Sequence, residues 1–224
     1  MTTQRGARLF FGATSTLVGF GLALQLVRVV SAESGSGAFE SMPARVVNFF
    51  SFFTVWSNIA VAVTTGLLAQ QLHRRSTLFD VARLDAVTCI AVTGVIFHLS
   101  LAQLQELTGW DALADFLLHT LSPILAVLGW ILFGPRGRLS ARIVRLSVVG
   151  PVLWLTYALV RGALVQDRSG NDYYAYPFMN VQVHGYATVL LRCTLVAALF
   201  LGLAFGAEAL DKRLRGARAT PRTA

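Results

Sequence analysis

Six apolar windows dominate the chain, at residues 9–30, 46–69, 84–104, 113–133, 143–164 and 184–206. Each meets the length of about 20 residues that a helix needs to cross a bilayer core of about 30 Å. Lipid offers no hydrogen bonds, so a spanning segment must satisfy every backbone N–H and C=O within the protein, and spans of this length do so as helices. The connections between the windows are too short to hold a soluble domain. The sequence therefore predicts one all-α integral membrane domain, a six-helix bundle over residues 1–224. Composition agrees, with 55% of residues hydrophobic and 13% charged, against about 25% charged in ordinary globular domains. The first window resembles a secretory leader, with Arg5 and Arg8 ahead of it and Val30-Ser31-Ala32 like a cleavage site. Its apolar length exceeds that of a leader, and it reads as a retained helix.

The net charge of +8 would point to nucleic acid if it were clustered on a soluble face. Instead it alternates with the connections, and no nucleic-acid partner is expected. Arg5 and Arg8 precede span one, Arg74, Arg75 and Arg83 join spans two and three, and Arg136, Arg138, Arg142 and Arg145 surround the four-to-five connection. Lys212, Arg213, Arg215, Arg218 and Arg222 follow span six, whereas the opposite connections hold only Arg45 and Arg168 with several carboxylates. The positive-inside rule then places both termini in the cytoplasm. The terminal basic run reads as an anchor on anionic headgroups. Arginine supplies 18 of the 19 basic residues, which we read as GC-rich coding in a bacterium and hence a plasma (inner) membrane location. Cys89 and Cys193 both fall in apolar windows, which argues against a disulfide framework or a thiolate metal site. No oligomeric state follows from these patterns.

Ionisable and polar residues inside a membrane are costly and face cavities or one another, so their depth is informative. Counted from the outer end at about 1.5 Å per residue, Asp115 and Arg28 lie about 3 Å deep, Arg161 about 4 to 5 Å, His98 and His119 about 9 Å, and Thr54 and Arg192 about 12 Å. His184 stands at the outer boundary, and the inner half holds only Asp85 and Arg145 near its edge. Helical spacing groups these residues into stripes: Ser51, Thr54, Asn58 and Thr65 on span two with Ser57 beside them, Asp115 and His119 one turn apart on span four, His184, Thr188 and Arg192 on span six, and Gly21, Gln25 and Arg28 on span one. The span-two stripe also reads as helix packing, and His119 as a satisfied interior histidine. Together, a hydroxyl, an imidazole and a carboxylate at similar depth are the parts of a nucleophile, its base and the group that orients the base. The last outer connection, residues 166–183, carries Tyr173, Tyr174, Tyr176, Pro177 and Phe178, either an interfacial aromatic belt or a lid over an outward-facing pocket.

The segment Phe49-Phe50-Ser51-Phe52-Phe53-Thr54-Val55-Trp56-Ser57-Asn58 is similar to the second-helix motif of the androgen-induced protein family of six-helix membrane proteins. Further similarities are Leu117-Leu118-His119-Thr120 with Pro123 and Trp130, Gly134-Pro135-Arg136-Gly137, Tyr157 with Arg161-Gly162, and Tyr176-Pro177-Phe178, covering roughly residues 45–190. The resemblance implies a threonine hydrolase that cleaves fatty acid esters of hydroxy fatty acids, with Thr54 as nucleophile and His119 as its partner.

These lines converge on an intramembrane lipid esterase without a cofactor or metal. His119 takes the Thr54 proton, Asp115 holds His119, and Ser57 or Asn58 supplies an oxyanion donor. Arg192, Arg161 or Arg28 clamps an anionic head, with His98 and His184 in the same layer. The arginines read equally as partners of Asp115, Glu106 or helix carbonyls. Alternatives are zinc held by His98, His119, His184 and Asp115, haem between His98 and His119, and a non-enzymatic lipid-binding or transport protein using the same polar layer.

Overall fold

A computed structural model of the chain describes residues 2–33, 37–103 and 106–219, and side chains within 3–33, 37–103 and 106–215. Ser34, Gly35 and Ser36 of the first connection, the Arg218 side chain and Arg222 lie outside these. The helices are α1 (Thr2–Ser31), α2 (Met42–Phe49), α3 (Phe53–Gln70), α4 (Thr77–Ile96), α5 (Gly109–Asp115), α6 (Ser122–Phe133), α7 (Ala141–Ser147), α8 (Val149–Leu164) and α9 (Val181–Ala219), and no strand occurs among the described residues. A π-helical turn, Phe97–Leu101, extends α4, and a second, Phe116–Leu121, joins α5 to α6. Six helical stretches are long and apolar enough to cross a membrane: Thr3–Ser31, Phe53–Gln70, Thr77–Leu101, Gly109–Phe133, Ala141–Leu164 and Val181–Arg215. The chain is an all-helical membrane protein.

Side-chain caps fix several helix starts. Ser76 Oγ accepts the Phe79 N–H at 3.0 Å and Ser140 Oγ that of Ile143 at 3.4 Å, the usual service of serine at a helix N-terminus. Because Ser76 starts α4 at Thr77, earlier than the apolar window suggests, Arg83 is not a loop residue. It lies buried in the helix, its guanidinium 5.4 Å from the centre of the Phe11 ring.

The second window is not one helix. α2 ends at Phe49, and Phe52 is extended (φ −78°, ψ 135°) before α3 begins. Such a break inside an apolar bundle leaves carbonyls that need donors, and two indoles supply them. Trp56 Nε1 donates to Phe50 O at 2.7 Å and Trp154 Nε1 to Ser51 O at 3.1 Å. Ser51 therefore stands in the break, hydrogen-bonded to Tyr157 Oη at 2.8 Å, and does not share a helical stripe with Thr54. Thr54 sits in the first turn of α3 rather than in the middle of a span.

α4 occupies the middle of the bundle, packed against α3, α6, α7 and α9. Val18, Val61, Ala86, Ile90 and Ala126 form the central core, and Leu84, Cys89, Val92, Ile143, Val144 and Phe200 a second one. Several hydroxyls within the helices return to the carbonyl four residues back, as Thr14 to Phe10, Thr65 to Val61 and Thr88 to Leu84, which keeps those protons out of hydrocarbon. Leu9, Leu78, Leu99 and Leu164 are more than 70% exposed. An outer surface so apolar suits contact with lipid chains.

One end of the bundle is basic. There Arg8 Nε donates to Ala69 O at 2.7 Å, and Arg138 donates to Arg74 O and pairs with Asp80 at 3.4 Å. Fully buried Asp211 of α9 accepts the backbone N–H groups of Gly137, Arg138 and Leu139 at 2.9, 2.8 and 3.0 Å, pinning the α6–α7 connection. Hydrogen bonds to a buried charge are worth about 1.5–3 kcal/mol each. Asp211→Ala should therefore lower stability by about 2 kcal/mol or more, read as a lower melting midpoint in detergent; an unchanged midpoint would show that the connection does not depend on the carboxylate.

Candidate active site

At the end of the bundle opposite the basic one, a cavity of about 1340 Å³ opens among α1, α2, α3, the two π turns and the 165–180 connection. Thr54, Asp115 and His119 line it, with Gln25 and Arg28 of α1, Arg45 and Asn48 of α2, Phe97, and the segment from Tyr173 to Pro177. A second, narrower and mostly apolar cavity of about 160 Å³ lies between α4, α8 and α9. Pro151, Leu155, Val196 and Phe200 help to line it. Thr54, Phe97, Leu101 and Tyr176 belong to the walls of both cavities.

Both π turns serve this site. His119 Nδ1 lies 2.9 Å from Asp115 Oδ1, although the ring N–H is not aligned with the carboxylate as in a hydrogen bond, so the contact is electrostatic. The imidazole stacks on Phe97, with ring centres 4.1 Å apart and planes 12° apart, so the two π turns orient each other. His98 Nε2 pairs with Thr120 Oγ1 at 3.2 Å across the same junction. Gly94 allows this approach, since a Cβ there would stand 3.0 Å from Pro123. Gly21 does the same for α1, where a Cβ would meet Leu118 at 3.0 Å.

The register of the second π turn explains a further link. Ser122 N–H bonds Leu117 O, five residues back. In the same register residue 123 would bond Leu118 O, but it is proline and has no N–H. Asn58 Nδ2 takes that place, donating to Leu118 O at 3.2 Å and to Thr54 O at 2.9 Å. One buried amide thus fastens the turn bearing His119 to the turn bearing Thr54. Asn58 Oδ1 has no partner among the described residues.

The other sequence candidates fall around this centre. Ser57 Oγ donates to Thr54 O at 3.0 Å and lies 3.2 Å from Thr93 Oγ1, so it and Asn58 use their donors inside the wall and neither lines a cavity. Arg161 lies over the rings of Phe39 and Tyr173, 5.5 and 5.6 Å from their centres, and Arg192 donates to Phe178 O at 3.3 Å. These two arginines brace connections rather than line the cavities. His184 and His98 also lie off the cavity walls. Arg28 does line the large cavity, in a bidentate pair with Asp111 at 2.8 and 2.8 Å. Half exposed, that pair adds little stability. Among the described residues no three His, Cys, Asp or Glu side chains converge to hold a metal ion.

Sequence reasoning gave Arg45 no part in the site and set Tyr176 only in the aromatic connection read as a belt or a lid. Arg45 donates to the carbonyls of Val29, Ala32 and Glu40 at 3.3, 2.9 and 2.6 Å and so shapes the α1–α2 connection beside the cavity. Tyr176, buried among Phe52, Trp154 and Phe178, accepts the Thr54 N–H at 3.4 Å. Its sequence signals were its place in the aromatic connection and in a Tyr-Pro-Phe run.

No family model matches the chain, and neither a curated protein nor a solved structure shows significant similarity to it.

The Asn58 bridge makes a testable claim. Asn58→Leu should cost about 2 kcal/mol, because it strands the buried Leu118 carbonyl and removes one of the donors to Thr54 O. In a Pro123→Ala background, where residue 123 regains an N–H for Leu118 O, the cost should fall by about 1 kcal/mol. Additive effects in a double-mutant cycle followed by thermal melting would refute the shared carbonyl.

Proposed function

We propose that the protein is an intramembrane hydrolase of lipid esters, with Thr54 as nucleophile, His119 as general base and Asp115 as the carboxylate that supports the base. One observation carries this reading: Thr54 stands on the wall shared by a large cavity that carries polar groups, His119 and Asp115 among them, and a narrow, nearly all apolar one. A fatty ester has the same division. With its carbonyl at Thr54, its hydrocarbon arm occupies the apolar cavity and its polar arm the large one, whose wall carries Arg45 and the Arg28–Asp111 pair. The resemblance to the androgen-induced protein family agrees in pairing Thr54 with His119, and it makes a fatty acid ester of a hydroxy fatty acid the natural first substrate to try.

The chemistry follows from the side chains. Thr54 Oγ attacks the ester carbonyl as its proton passes to His119, and the Asp115 carboxylate stabilises the resulting imidazolium. Collapse of the tetrahedral intermediate expels the alcohol, which takes the proton from His119 and leaves an acyl-threonine. Water, deprotonated by His119, then releases the fatty acid and restores Thr54. Base assistance of this kind is worth about 10²- to 10⁴-fold.

Charge supports an orientation. Arg8, Arg74 and Arg138 share the end away from the site, and the positive-inside rule puts that end and both termini in the cytoplasm of a bacterial plasma membrane. The site then belongs to the outer leaflet.

The purified protein in detergent should hydrolyse medium- or long-chain esters. Thr54→Ala should abolish turnover, His119→Ala should slow it by about 10²-fold or more, and both should keep the wild-type melting midpoint within a few degrees. Absent hydrolysis in the wild type, or unchanged rates in the variants, would refute the mechanism and favour a lipid-binding protein.

A further inference from the structure

An acyl transfer needs a donor for the oxyanion as well as a nucleophile and base, and Ser57 and Asn58 are engaged elsewhere. We propose that the Tyr176 hydroxyl is that donor: its oxygen accepts the Thr54 N–H, and it stands with Thr54 on the wall common to both cavities. The inference rests on the threonine hydrolase reading and adds to it the group that stabilises the transition state.

The donor and acceptor inventory leads to this assignment. The phenol oxygen accepts the Thr54 N–H at 3.4 Å, one of the open donors at a helix start whose Phe52 cap has no side-chain acceptor. Accepting that N–H leaves the phenol its own O–H to donate, next to Thr54. When Thr54 Oγ bonds to the carbonyl carbon, the carbonyl oxygen gains charge within a bond length or two of Oγ and becomes a strong acceptor for the phenol O–H. No proton is transferred; one hydrogen bond to the oxyanion forms. Position 176 is 8% exposed, wedged by Phe52, Trp154 and Phe178 with ring centres 5.5 to 5.8 Å away, so the donor is fixed before substrate arrives. Burial holds the phenol above its ordinary pKa, against the pull of its hydrogen bonds with Thr54 and Phe53, which keeps the proton in place through neutral pH. Tyr174, two residues earlier, packs against Gly162 of α8 and lines only the large cavity, whereas Tyr176 lines both.

The test compares wild type, Tyr176→Phe and Thr54→Ala, using a medium-chain aryl ester as substrate and an alkyl trifluoromethyl ketone, whose threonine adduct carries an oxyanion. Tyr176→Phe should lose about 10²- to 10³-fold in kcat with little change in KM, and should bind the ketone weaker by a similar factor. Unchanged kcat and ketone affinity, with Thr54→Ala inactive, would overturn the Tyr176 assignment and leave the threonine mechanism standing. An inactive wild type or an active Thr54→Ala would overturn the threonine mechanism, and this assignment with it. If Tyr176→Phe fails to fold, 3,5-difluorotyrosine in place of Tyr176 keeps the size but ionises at lower pH. The alkaline loss of activity should then move to lower pH, and an unmoved profile would overturn the proposal.

Discussion

The amide nitrogen of Asn58, 2.9 Å from Thr54 O and 3.2 Å from Leu118 O, joins the two segments on which the site is built. Each of these segments departs from regular helix. α3 begins late, after a break that two indoles stabilise, and the turn carrying His119 is π-helical and followed by a proline that cannot donate. In water such departures are hydrated at small cost, but in an apolar bundle each open carbonyl needs a donor from the protein. Trp56, Trp154 and Asn58 are those donors. Stranding a buried carbonyl costs about 1–3 kcal/mol, so the irregular backbone and its side-chain partners stand or fall together.

The broken backbone is also what brings Thr54 to a cavity wall. A continuous second helix would keep the Thr54 N–H within its own ladder. Beginning α3 at Phe53 leaves the Thr54 N–H open to Tyr176 and brings Thr54 to the wall shared by the two cavities. The two π turns then set His119 face to face with Phe97 and next to Asp115. Extra residues in a turn rotate the following side chains relative to a regular helix, a device found often at functional sites.

The basic end follows a different logic. Asp211 is fully buried and satisfied by three backbone N–H groups, whereas Arg83 is buried with no hydrogen-bond partner for its guanidinium nitrogens among the described residues. Its guanidinium lies against Phe11, and Arg136 is close enough for the charges to repel. Buried unpaired charge is costly, and Phe11 offsets a part of that by cation–π attraction.

Apolar windows of about 20 residues leave a chain in lipid no choice but helices, so six spans and an all-helical membrane fold were legible from length and hydropathy alone. The Asp115–His119 contact was legible too, because i and i+4 meet on any helix. Helical spacing misled for span two, where Ser51 and Thr54 are parted by a break that has no hydrophobic signature, and for α4, whose start at Ser76 lies within polar sequence. Neither π turn leaves a mark in the residue pattern, and depth along a helix does not say which way a side chain faces, so it grouped His98, His184, Arg161 and Arg192 with a cavity they do not line. The partners of Thr54 were set by contacts between residues far apart in sequence, Asn58 with Leu118 and Tyr176 with the start of α3. Those contacts depend on where backbone hydrogen bonds go unfilled, and only the packed tertiary structure decides that.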